Sequence, residues 1–136
     1  MKRLVHTIEH EFENLHGLYP NSADIADTQR ALVENKIATI PNSFIDFLES
    51  INGINYKGGE IFGINPPSNL AGDILDINLK QERFIKSKYI ILGVDDFDYL
   101  VYNQEKSLYQ IIDKSDLEVL EEYPEAERAI SYILKV

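Results

Sequence analysis

His6 and His10 stand four residues apart in a stretch with helical periodicity, and Glu13 follows three residues later. Side chains at i and i+4 share one helix face, and two imidazoles with a carboxylate can hold zinc or a similar ion. The run His6-Thr7-Ile8-Glu9-His10 shares only its spacing with the zinc-protease helix. There the glutamate directly follows the first histidine, whereas Thr7 does so here. Both histidines project away from the apolar stripe of the same segment, so a solvated polar face is the simpler reading and no metal ligand is assigned. The alternative, a small metal-dependent enzyme built on His6, His10 and the aspartates below, predicts stoichiometric metal.

Asp95, Asp96 and Asp98 place three carboxylates within four residues. Carboxylates so grouped can bind a divalent cation through oxygen, but the glycine and distal glutamate of a calcium loop are missing. Aspartate is also a common turn residue, because its side chain hydrogen-bonds nearby backbone. A turn on a rigid sheet is a good place for recognition, which makes this one a candidate contact for a basic partner. A second acidic stretch, Glu118, Glu121, Glu122, Glu125 and Glu127, reads as the outer side of a strand and helix. Gly53, Gly58 and Gly59 do not form a phosphate loop, since neither the P-loop spacing nor a strand–GxGxxG–helix unit is present. With no cysteine there is no thiolate ligand, thiol nucleophile or disulfide. No catalytic set and no cofactor motif emerges, and the chain reads as a non-enzyme.

The balance of charge narrows the partners. Thirteen Lys and Arg against 23 Asp and Glu leave a net charge of −10. Such a surface repels nucleic acid, whose affinity depends on neutralising phosphates. It favours encounter with a basic protein, although solubility alone also accounts for acidity. Met1-Lys2-Arg3 resembles the start of a signal peptide, but Glu9 ends the apolar run that follows. No run approaches the roughly 20 apolar residues of a membrane span. The expectation is a cytoplasmic chain with no membrane association.

The elements that must position these residues follow from periodicity. At 136 residues the chain fits one domain, 1–136. Leu4, Ile8, Phe12 and Leu15 predict a helix over 3–16, and a second begins near Asn21 or Ser22. Phe44, Phe47, Leu48 and Ile51 recur at i, i+3, i+4 and i+7 between Pro41 and Asn52-Gly53, a short helix marked at both ends. Gly58-Gly59 predicts a turn and 60–64 a strand. Residues 69–86 have no clear period. Strands are expected at 89–93, 99–102 and 108–112, joined by short polar links that suit antiparallel hairpins. A short edge strand at 117–120 and a helix from Pro124 to Leu134 close the chain. Alternation puts Tyr99 and Tyr102 on opposite faces, one of them away from the helices. Helices, a strand meander and a last helix define an α+β fold: N-terminal helices, a mainly antiparallel sheet of about four to six strands, and a C-terminal helix packed on it.

These residues resemble a family. Ile40-Pro41-x-x-Phe44-x-x-Phe47-Leu48-x-x-x-Asn52-Gly53 is similar to the "LP–aromatic–FL–NG" segment of SMI1/KNR4 (SUKH) domains. Gly59-Glu60-Ile61-Phe62-Gly63-Ile64 resembles their first strand. Ile91-Leu92-Gly93-Val94-Asp95 with Tyr99-Leu100-Val101-Tyr102-Asn103 resembles the hairpin that follows. The resemblance covers about residues 30–135 and is strongest to the YrhA-type branch. The chain departs from many relatives in having no tryptophan. The resemblance implies a protein-binding module without catalytic residues. Many bacterial members are similar to immunity proteins that neutralise a cognate toxin, and fungal ones act as interaction scaffolds. A nuclease toxin would require a carboxylate-rich face on its inhibitor. Glu60, Asp95, Asp96 and Asp98, with Tyr56, are the residues expected to provide it. An adaptor with no toxin partner is the second reading of the same resemblance.

Overall fold

The computed structural model describes residues 2–11, 22–66 and 70–136. Three helices come first: α1 (Lys2–Glu11), α2 (Ser22–Glu34) and α3 (Asn42–Ser50). The hairpin β1 (Ile54–Tyr56) and β2 (Gly59–Ile61) follows, then α4 (Ile74–Lys80). Four strands and a last helix complete the chain: β3 (Tyr89–Val94), β4 (Asp98–Asn103), β5 (Leu108–Asp113), β6 (Val119–Tyr123) and α5 (Ala126–Leu134). The strands form one antiparallel sheet in the order β1-β2-β3-β4-β5-β6, a meander in which each strand pairs with its neighbours in sequence. This is the expected α+β architecture.

Strand alternation and register sort the side chains onto two faces. Ile54, Ile61, Leu100, Tyr102, Tyr109 and Ile111 share one face. Helix α5 crosses it with Ala126, Ala129, Ile130 and Ile133 inward. The approach is closest at Gly59, where a methyl group would overlap the Ile133 carbonyl oxygen, so only glycine lets β2 and α5 come this near. Helix α3 reaches the same face. Its Phe44, Phe47 and Leu48 are fully buried, and Ser43 Oγ lies 2.5 Å from the Tyr109 hydroxyl. Burial pushes that phenol up to about 12. The opposite face carries Tyr89, Ile91, Tyr99, Val101 and Ile112. It receives α4 at β3, and the Phe84 ring packs 5.4 Å from both Tyr89 and Tyr99. Alternation does put Tyr99 on the face away from α5, but that face carries α4 and the Phe84 segment, so neither tyrosine points away from all the helices.

Side-chain amides tie the layers together. Gln29 in α2 bonds both the N–H and the C=O of Ile40. Asn52 does the same with Ile64. Asn78 in α4 does so with Ile91, and also donates to the Ile74 carbonyl. Each amide behaves like a one-residue strand neighbour, which satisfies backbone groups that burial would otherwise leave unpaired.

The differences from expectation are local. The strand expected at 60–64 stops at Ile61, and Gly63 makes an isolated parallel bridge to Asp73. Strand β1 was not anticipated, since three residues carry too little alternation to read. The edge strand expected at 117–120 lies instead at Val119–Tyr123, because Leu117 adopts a left-handed conformation (φ 61°) that ends the preceding turn. Helix α1 begins as expected; residues 12–16 of the expected helix lie outside the described residues.

Candidate functional site

Three turns meet at one end of the sheet. The β1–β2 turn is Lys57-Gly58, with φ of 52° and 84°. Positive φ at both central residues is the geometry that matches strand twist in a two-residue hairpin. The β3–β4 turn runs from Asp95 to Phe97, and its backbone closes through Asp95 N–H to the Asp98 carbonyl. The β5–β6 turn follows Asp113 and is fastened to the second by the Lys114 N–H, which donates to the Phe97 carbonyl at 2.9 Å.

The five residues expected to form a binding face do not share one environment. Asp95 is 8% exposed, and its Oδ1 accepts the N–H groups of Phe97 and Asp98 at 2.9 and 2.7 Å. Its other oxygen lies 4.0 Å from Lys135 Nζ just past α5. Asp98 is 7% exposed and begins β4 instead of belonging to the loop. Burial first, then the nearby Asp95 and Asp113 charges, hold its carboxyl above the usual value, against the pull of Lys114 and Lys135. Two of the three aspartates thus serve the hairpin and its contact with α5, while Asp96 faces solvent. Tyr56, half-buried, lies on the α5 face with Lys57 Nζ 4.9 Å above its ring. Gly58 brings the first turn beside Asp96, so these two turns do come together.

Glu60 lies on the other face. Its Oε2 accepts the Gly72 N–H at 2.8 Å in a cleft of about 620 Å³ that Asn55, Asn65, Asp73 and Asp76 also line. Two of the three carboxylates there, Glu60 and Asp73, already accept backbone N–H groups. Asp73 accepts the N–H groups of Asn65 and Asp76 and so caps α4.

Sequence reasoning missed Phe97. It is 75% exposed, on a turn whose backbone is bonded at Asp95, Asp98 and Lys114. Its signal was an aromatic residue set among turn aspartates, where no core contact is available to it. The other acidic stretch is more open than the expected one: Glu118, Glu121, Glu122 and Glu125 are all exposed.

For metal chemistry the geometry gives little. Among the described residues no group of three or more His, Asp or Glu side chains could hold an ion. His6 is exposed on α1, and the His10 side chain and Glu13 lie outside the described residues. Among the described residues no helix is long and apolar enough to cross a membrane. A scan against protein-family models finds no match to this chain, and a search of curated proteins finds none.

Proposed function

We infer that this chain is a protein-binding module of the SMI1/KNR4 kind and acts as an immunity protein, docking a basic toxin domain on the end of its sheet. The observation that carries the reading is Phe97, a solvent-facing aromatic on an internally bonded turn beside the exposed carboxylate of Asp96. Binding energy concentrates in a few anchors of this sort, aromatic and held in place before the partner arrives. A net charge of −10 speeds encounter with a basic partner and makes the on-rate fall with salt. The motif resemblance over residues 30–135 supports the toxin as the class of partner. Carboxylates on the module would occupy the site at which a nuclease holds phosphate.

The test is a pull-down from the source cell's lysate at low and moderate salt, with the wild type beside a Phe97→Ala/Asp96→Asn variant of equal melting temperature. One stoichiometric partner with a basic domain, lost by the variant, and rescue of cells expressing that domain are the expected results. Several unrelated partners would favour the adaptor reading. Equal capture by both proteins would move the binding surface elsewhere.

A further inference from the structure

The two edges of the sheet differ in what they offer. β1 is three residues long. β6 has five residues, so its edge is roughly 17 Å long at the usual rise per residue. Among the described residues β6 pairs with β5 on one side and with no strand on the other. Val119 to Glu122 are all exposed, including the apolar Val119 at 46% and Leu120 at 44%. An extended edge with open backbone groups and accessible apolar side chains is a template for another strand.

Charge decides which strand. From Asp116 to Glu125 the chain carries five carboxylates, Asp116, Glu118, Glu121, Glu122 and Glu125, and no Lys or Arg. A second copy paired on this edge would set glutamates against glutamates, and like charges across a pair are destabilising. The same row disfavours self-association while leaving the edge complementary to a basic segment. Glu122 is also held in position. A chain of side-chain hydrogen bonds crosses three strands, from Asn103 Nδ2 to Gln110 Oε1 and from Gln110 Nε2 to Glu122 Oε2 at 2.7 Å. Asn103 and Gln110 are each 1% exposed, so a buried amide pair fixes one oxygen of an exposed carboxylate at the edge.

We propose that the free edge of β6 takes an extended, lysine- or arginine-bearing segment of a partner protein as a seventh antiparallel strand. This rests on the reading of the chain as a binder of basic protein, and it adds a backbone-bonded contact distinct from the Phe97 turn. Main-chain pairing supplies affinity in such additions, and alternate side chains supply choice. Every second side chain of the incoming strand would meet the Glu121 or the Glu122 side of the sheet.

The test is titration of the isotope-labelled full chain with a capped Lys-Val-Lys-Thr-Lys-Val-Lys peptide, followed by amide shifts. Expected are saturable shifts confined to β6 and the adjoining β5, slowed amide exchange in β6, and no binding of the Glu-for-Lys peptide. N-methylation at alternate residues keeps the charge but removes the ladder, and should weaken binding by at least about tenfold. A Glu121→Lys/Glu122→Lys variant that melts as a folded domain should lose the shifts. Equal binding by the N-methylated peptide would overturn the proposal, since charge alone then suffices. So would shifts centred on residues 95–98, or a dimer of the chain with β6 amides protected. If the lysate partner binds the Glu121→Lys/Glu122→Lys variant undiminished, the edge inference fails and the module reading stands. If the peptide docks on β6 but no basic partner is captured, the toxin reading fails and the edge inference stands.

Discussion

Two acidic regions lie on neighbouring hairpins, and they have opposite jobs. At the β3–β4 turn two of the three carboxylates point inward: Asp95 accepts two backbone N–H groups and Asp98 is buried beside it, while Asp96 faces solvent. Along β6 and its flanks Glu118, Glu121 and Glu125 face solvent, and Glu122 is exposed with one oxygen held. The density of carboxylates in sequence is higher in the first region, yet more of them are available for recognition in the second. A short side chain at a hairpin corner reaches its own backbone, whereas a glutamate on a strand reaches away from it. Aspartates at turns are therefore part of the fold before they are part of a surface.

Substitution tests this contrast directly. Asp95→Ala should have the largest effect, since a buried N–H group (Asp98) and a part-buried one (Phe97) lose their acceptor; a loss of about 2 kcal/mol in urea unfolding is expected. Glu122→Ala should cost about 1 kcal/mol, because the buried Gln110 amide loses its outer acceptor. An equal cost for both would erase the distinction between the two regions. Asp98→Asn should act in the opposite direction and depend on pH. The folded chain holds this proton more tightly than the unfolded one, so the wild type loses stability as pH rises from the ordinary value of 3.8 through the raised folded value. The asparagine variant lacks that loss. Its melting temperature should exceed the wild type's at neutral pH, and the gain should vanish well below pH 3.8. Glu121→Ala should be the mildest, within about 0.5 kcal/mol in the same urea titration. A larger effect would mean that this carboxylate, too, has a structural partner.

What was legible in the sequence follows from how far each signal reaches along the chain. Helix α3 and strands β3 to β5 announce themselves because their apolar periods are long enough to count, although α3 ends at Ser50 on an extended Ile51, and the positive φ of Gly53 (91°) falls two residues further on, not at the helix stop expected of Asn52-Gly53. Helix α4 was not legible: Ile74, Ile77 and Leu79 make an irregular stripe. Its placement depends on Asp73 capping one end and Asn78 bonding to β3, thirteen residues away. The same limit applied to the binding face. The Gly58 turn does lie beside Asp96, but Glu60 points to the face of the sheet opposite Tyr56, because register, and not sequence distance, assigns faces. Phe97 could be seen as an aromatic in a polar link, yet its exposure depends on the Asp95 hydrogen bonds that hold the turn.

The clamp at Asn52 also keeps time. An asparagine followed by glycine is the pair most prone to deamidation, which begins when the glycine nitrogen attacks the side-chain carbonyl. In the folded chain both ends of the Asn52 amide are held by Ile64, and the Gly53 N–H is engaged by the Ile51 carbonyl. Attack draws the Asn52 amide and the Gly53 nitrogen out of these hydrogen bonds, so the folded chain slows it. Each excursion to the unfolded state releases the pair, so isoaspartate at residue 52 would accumulate as a chemical record of time spent unfolded. A molecule so altered loses the amide that joins α3 to the chain beyond β2, and the damage makes the next excursion easier.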